Sequence, residues 1–301
     1  MRRGIASTAS IVLGVALLAG CAAATPAPTP TTAPASPTPA PLEDVSKVLV
    51  IVLENHALEQ VVAKMPQVMD TVRDFSYATE FTAIRHPSLP NYLAMLGGST
   101  FKVTDDKPPT VHKVAGPSVF GQAIAVGATA KLYAEGMTGT CQRRSHGDYA
   151  VKHNPWAYFV DERDLCEQFD VPFDELADDI AAGDLPNLGM VVPDLCSDAH
   201  DCPLHHADGW FQDRLDELMA GADFRSGRLA IIVTADEDDR LHGNKILTAV
   251  IHHGSPPEIV TTPLTLYSIT RLYADVVGVV PPRHAAEAES MSDAFHLTLA
   301  G

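Results

Sequence analysis

The chain has 301 residues, with 38 Asp and Glu against 21 Lys and Arg, a formal net charge of −17 and a hydrophobic fraction of 46%. That balance argues against nucleic acid, or an anionic lipid surface, as a bulk electrostatic partner, but leaves room for a small anionic substrate held at a metal. About 255 residues follow the N-terminal segments, enough for one large domain with a full core.

Arg2 and Arg3 precede the apolar run Ile11-Val-Leu-Gly-Val-Ala-Leu-Leu18, which closes on Leu18-Ala-Gly-Cys21. This pattern predicts a lipoprotein signal peptide over residues 1–20 and lipidation of Cys21. The run is too short for a spanning helix, which needs about 20 apolar residues. Residues 21–42 are almost all Ala, Pro and Thr without a charge, a composition that forms a semi-rigid tether rather than a core. The expectation is a domain over 43–301, lipid-anchored to the cell membrane on its extracytoplasmic side. Cleavage removes two arginines and shifts the net charge from −17 to −19.

In chain order, Lys47 to Leu53 is an almost unbroken apolar run that ends on Glu54-Asn55, the pattern of a strand buried on both faces. His56 to Phe75 carries apolar residues at helical spacing and predicts one amphipathic helix. His86-Pro-Ser-Leu-Pro-Asn-Tyr92 predicts a turn into a short helix that stops at Gly97-Gly98. Ser88 at that turn has two readings. As an N-cap its hydroxyl satisfies a helical N–H; as a nucleophile it shares the helix end with a phosphate and an adjacent cation. Asn91 is close enough to direct an amide at the same anion. A strand is expected at Lys131 to Ala134, followed by a basic loop with Arg143, Arg144, His146, Lys152 and His153, which a solvated surface explains equally well.

Helices are expected at Phe173 to Ala182, at Trp210 to Met219 with Asp208-Gly209 as its N-cap, and at Pro263 to Val277. Between them, Leu188 to Val192 runs into Pro193-Asp194, and Leu229 to Ala235 runs into Asp236-Glu-Asp-Asp239. Ile246 to Ile251 reads as a further strand. Strands alternating with helices predict an α/β fold: a doubly wound, mostly parallel sheet with helices on both faces. If the three acid-terminated strands are parallel neighbours, their carboxyl ends form a cation site, since such sheets bind ligands there. Asp238 and Asp239 read as loop charges, and His205 and His206 as surface residues at the rim.

Besides Cys21 there are four cysteines, an even set for an oxidising compartment, and two disulfides are expected. Of three pairings, Cys196 with Cys202 and Cys141 with Cys166 is preferred. No Cys-x-x-Cys spacing supports a thiolate zinc site.

Taken together, Val50-Ile-Val-Leu-Glu-Asn-His56, His86-Pro-Ser-Leu-Pro-Asn-Tyr92, Pro193-Asp-Leu-Cys-Ser-Asp-Ala-His-Asp-Cys202 and Val233-Thr-Ala-Asp-Glu-Asp238 resemble the ordered motifs of the phosphoesterase family of bacterial and fungal acid phosphatases and phospholipases C, within the alkaline phosphatase superfamily. The resemblance implies a divalent metal ion held by Glu54, Asn55, Asp236 and Glu237, with Ser88 as the attacking hydroxyl. It brings Asp198 and His200 into the active site as ligands or proton-transfer groups, with Asp194 as their neighbour. Oxygen-rich ligands fit calcium, magnesium, manganese or zinc. His200 has a plainer reading as decoration of a disulfide loop. Lys152-His-Asn-Pro155 is similar to a family segment whose histidine faces substrate, so His153 and then Lys152 are candidate phosphate contacts. The chain departs from the family at Thr265-Leu-Tyr-Ser268, where relatives commonly have Thr-His-Tyr-Ser. Leu266 cannot ligate a metal, and His242, His252 and His253 are possible substitutes. The implied function is an acid phosphatase-like phosphoesterase. The alternatives are a phospholipase C-type phosphodiesterase and a non-catalytic phosphate- or metal-binding lipoprotein.

Overall fold

The computed structural model describes residues 41–301, with positions 10, 11 and 14 before them. The signal peptide, the lipidation site at Cys21 and nearly all of the tether lie outside the described residues. Strand β1 (Lys47–Leu53) forms the centre of an eight-stranded sheet. The other strands are β2 (Ser76–Ala78), β4 (Ala130–Ala134), β5 (Asp170–Pro172), β6 (Leu188–Val192), β7 (Leu229–Ala235), β8 (Thr248–Ile251) and β9 (Glu258–Val260). Their order is β5-β4-β6-β1-β7-β8-β2-β9, and β3 (Phe81–Thr82) pairs separately with β10 (Leu264–Thr265). Only β8 runs antiparallel to its neighbours.

The central register bears out the apolar runs. β1 lies between β6 and β7, parallel to both, with Leu53 opposite Ala235 and Ile51 opposite Val191. Every residue of β7, and of β1 after Lys47, is buried, because helices cover both faces of the sheet. One layer is built around α2 (Pro66–Arg73) and α7 (Leu204–Ala220), with α1 (Leu58–Lys64), α6 (Glu175–Ala182) and α8 (Ala222–Arg225). The other is built around α3 (Ser88–Gly97) and α9 (Leu266–Val276), with α4 (Val119–Ala125) and α10 (Met291–Ala294); α5 (Arg163–Phe169) packs beside β4 and β5.

Several local expectations are corrected. The helix expected over 56–75 is two helices broken at Met65, because Pro66 lacks the N–H a continuous helix needs and takes the first position of α2 instead. Helix α7 begins at Leu204, so Asp208 is not its N-cap. Asp208 is buried and accepts hydrogen bonds from Gln67 N (3.2 Å) and Val68 N (2.9 Å), capping α2 from across the layer. The helices expected at 173 and 263 begin two and three residues later, at Glu175 and Leu266. Both disulfides form as expected, Cys141–Cys166 and Cys196–Cys202. Among the described residues no helix is long and apolar enough to cross a membrane.

Candidate active site

The parallel register of β1 and β7 brings Glu54 and Asp236 to the same edge of the sheet, one residue past Leu53 and Ala235. Both are fully buried. Asn55 takes a left-handed backbone (φ 56°), which asparagine tolerates better than most residues, and donates its N–H to Asp236 Oδ1 at 3.2 Å. Its amide nitrogen donates to Glu54 Oε2 at 2.5 Å.

His153 is buried between two carboxylates. Its Nε2 lies 2.5 Å from Glu54 Oε1 and its Nδ1 3.2 Å from Asp198 Oδ2, while its ring stacks on Tyr92 with centroids 5.0 Å apart. Burial alone would raise the Glu54 carboxyl, but the His153 imidazolium holds it at about 2. Burial likewise disfavours charge on His153, and Glu54 and Asp198 outweigh it, raising that ring to about 9. Burial lifts Asp198 to about 6 against the pull of His153. Burial, with the neighbouring Glu54 and Glu237 carboxylates, pushes Asp236 well above the carboxylate range.

The Ser88 turn is stitched to this cluster from both sides. His86 Nδ1 lies 3.0 Å from Glu237 Oε1, and its Nε2 lies 2.9 Å from Asp238 Oδ1. Asn91 Nδ2 donates to Glu237 Oε2 at 3.2 Å. The buried Ser88 lies between them, one helical turn before Tyr92, whose ring faces His153. Pro87 rather than Ser88 is the N-cap, and Ser88 opens α3, so the cap reading does not hold. Asn91 is also placed differently from expectation. Its Oδ1 accepts from Ile84 N and Arg85 N and its Nδ2 donates to Arg85 O and Glu237, so the amide shapes the turn instead of projecting at an anion.

His200 and Lys152 meet beside the cluster, with Lys152 Nζ 3.1 Å from His200 Nε2 and 3.7 Å from Asp106 Oδ2. His200 Nδ1 lies 2.6 Å from Asp201. Asp106 Oδ1 in turn accepts from Leu89 N, closing a ring around the first turn of α3. Asp194 does not join the acids: its Oδ1 accepts from Cys196 N and Ser197 N and fixes the disulfide loop. Asp238, expected as a loop charge, is buried; its oxygens accept from Arg240 N, His242 N and Asn244 N, folding residues 238–244 into a tight turn.

Four functional groups escaped sequence reasoning. His86 and Tyr92 stand inside the Ser88 motif without a role, and Asp106 carries no periodic signal. Asp238 was masked by its acidic neighbours.

A cation has suitable donors here. Glu54-Asn55 and Asp236-Glu237 follow the ends of two neighbouring parallel strands, and Asp236 Oδ2 is buried with no hydrogen-bond partner among the described residues. Among the described residues two other groupings bring three ligand atoms within 4.8 Å of one another, which Glu54, Asp236 and Glu237 do not. Asp238, Asp239 and His242 lie within 4.8 Å of one another but already satisfy each other and their turn. Cys141, Cys166 and Asp170 include a disulfide. Leu266 is buried in α9. His252 and His253 follow antiparallel β8 and so lie at the opposite edge of the sheet, where His252 Nε2 contacts Gly227 O, and cannot substitute for a missing ligand.

The phosphoesterase family model matches residues 63–268, a span that holds Ser88, His153, Asp198, His200, Asp236 and Glu237. The chain belongs to the phosphoesterase family. It is a hydrolase acting on phosphoric ester bonds. Glu54 and Asn55 lie just before the matched span and are tied to it through His153 and Asp236. This phosphoesterase is 27% identical over 255 residues to a phosphatidylinositol-3-phosphatase of Mycobacterium tuberculosis, covering 84% of this chain and 83% of that protein. It is 29% identical over 192 residues to an acid phosphatase of Aspergillus fumigatus, covering 60% of this chain but only 42% of that protein. Among solved structures, an alkaline phosphatase superfamily protein from Vibrio parahaemolyticus superposes with a TM-score of 0.56 at 13% identity, covering 84% of this chain and 72% of that one. A phosphonate monoester hydrolase of Agrobacterium radiobacter gives 0.53 at 11%, covering 83% and 77%. Those likenesses establish the alkaline-phosphatase-like fold.

Proposed function

We propose that this phosphoesterase is an extracytoplasmic, metal-dependent, acid phosphatase-like monoesterase that attacks through Ser88 and is held at the membrane by a lipid on Cys21. The observation that carries the reading is the convergence of Glu54, Asp236 and Glu237 on the edge where the Ser88 turn is pinned by His86 and Asn91. Glu54, Asn55, Asp236 and Glu237 would hold a divalent cation, which supplies positive charge for the phosphate oxygens and for the Ser88 alkoxide.

The chain's own groups do the rest. The first turn of α3 fixes the Ser88 backbone, and Asp106 locks it by accepting the next N–H. His153, expected as a phosphate contact, instead has both ring nitrogens against Glu54 and Asp198, so its role is to hold those two carboxylates in place. Lys152 Nζ and His200 Nε2 lie 3.1 Å apart, and this pair would protonate the leaving oxygen or activate the water that releases phosphate from the serine.

A second reading narrows the substrate to the phosphorylated headgroup of a membrane lipid. It is favoured by the likeness to the phosphatidylinositol-3-phosphatase, which spans most of both chains. Ser88→Ala should abolish hydrolysis of nitrophenyl phosphate while leaving the circular dichroism melt unchanged. Undiminished turnover in that variant would overturn the assignment.

A further inference from the structure

Beside the active site is a cavity of about 670 Å³ whose walls include Lys113, Arg143, Arg144 and Arg163 with Pro109 and Val160. No acidic residue lines it, although acids outnumber bases 38 to 21 in the chain. None of the four cations forms an ion pair among the described residues. Other cations such as Lys64, Arg85 and Arg225 also lack an ion pair among the described residues; what sets these four apart is that they share one concavity with no carboxylate on its wall, which concentrates positive potential there.

The loop that carries two of them is braced. Cys141 is tied to Cys166, Gln142 Nε2 donates to Arg144 O at 2.9 Å, and Tyr149 Oη donates to Gln142 O at 2.7 Å. Arg163 is held by its donation to Ala157 O at 2.9 Å. These contacts fix the backbone that carries the exposed Arg143 and Arg144 side chains, so with Lys113 and Arg163 they line one concavity in which an anion finds positive charge gathered. Arg144 also lines the adjoining cavity of about 440 Å³, whose wall includes Asp106, Lys152 and His200. Through Arg144 the basic concavity adjoins the one walled by Lys152 and His200.

We propose that this cavity is a second anion site, which holds a further phosphate group of a substrate whose scissile phosphate sits at Ser88. The preferred substrates are then phosphate esters that carry two phosphate groups. This rests on the phosphatase reading above and adds to it a selectivity determinant outside the acidic cluster. Guanidinium and phosphate form bidentate, charge-assisted hydrogen bonds, the strongest of the ordinary polar contacts.

The test compares glucose phosphate with glucose bisphosphate on the wild type and on Lys113→Gln/Arg143→Gln. The wild type should show a KM roughly tenfold lower for the bisphosphate, the scale of one charged hydrogen bond or more. The double variant should lose most of that ratio and keep its turnover of the monophosphate. The ratio should also shrink as salt is raised. Equal KM values in the wild type, or an undiminished ratio in the variant, would overturn the proposal.

A second arm compares a phosphatidylinositol monophosphate in phosphatidylcholine vesicles with its deacylated, water-soluble headgroup. Preference for both over glucose phosphate assigns the effect to the second phosphate. Preference for vesicles alone assigns it to the bilayer and rejects the cavity. If neither sugar ester is turned over, the phosphatase reading fails, and calorimetric binding of the two esters still reads the ratio.

Discussion

Two buried aspartates at opposite ends of the same strand pair differ in what surrounds them. Asp223, at the amino ends of β1 and β7, accepts from Lys47 Nζ and Arg228 Nη2, both at 2.9 Å, and from Leu185 N at 3.1 Å. Asp236, at the carboxyl ends, accepts one backbone N–H and leaves Oδ2 without a partner. The first is a finished structural contact and the second is an incomplete one. A fold keeps a buried carboxylate in that incomplete state only where something else completes it.

The comparison breaks most readily through activity. Asp236→Asn should lower phosphatase turnover at least about 100-fold, since even the partners of metal ligands are worth 10–100-fold, while its melting temperature in chelator equals or exceeds that of the wild type. Asp223→Asn should do the reverse, losing about 1–3 kcal/mol by weakening charge-assisted hydrogen bonds from two partly buried cations and keeping turnover per folded molecule. If the two variants behave alike in denaturant melts and in assays, the distinction is wrong. Adding divalent cation at a hundred times its dissociation constant should stabilise the wild type by about 2.7 kcal/mol and Asp236→Asn by much less. A chelator should reverse the gain.

Asp170 gives an intermediate case. It is fully buried and accepts only from a neutral amide, Asn154 Nδ2, at 2.9 and 2.8 Å. Burial raises its carboxyl to about 8 against the pull of Asn154. The folded state therefore holds this proton more tightly than the unfolded state. The contribution is complete below the unfolded value near pH 4 and is lost as pH rises toward 8, at up to about 1.4 kcal/mol per pH unit. Asp170→Asn should flatten the fall in melting temperature over that window; an unchanged slope would show that Asp170 is not its source. The smallest effect belongs to Asp208, whose carboxylate is satisfied by the N–H groups of α2. Asp208→Ala should cost about 1 kcal/mol, the worth of a helix cap, with no change in turnover.

These contrasts separate what the sequence discloses from what it conceals. Long apolar runs ending in acids disclose β1, β6 and β7 and the convergence of Glu54 with Asp236, because a strand buried on both faces leaves no ambiguity of period. The turn at Ser88 is legible from its prolines and the glycine stop. Strands of two or three residues such as β2, β3 and β9 are concealed, since their pairing rather than their composition makes them strands. Asp208 and Asp106 are concealed because each serves a backbone far away in sequence or in another element. Asp194 and Asp238 show the same limit from the other side: their carboxylates satisfy local N–H groups, and composition alone cannot tell such a turn from a ligand.

The reversed direction of β8 has a further consequence. Because it runs back against β7, the chain leaves the sheet and re-enters it along one border, so residues 236–247 need no helix to carry them across a face. That return can lengthen or shorten without displacing either covering layer, and the entrance to the site can diversify while the strands beneath it stay as they are.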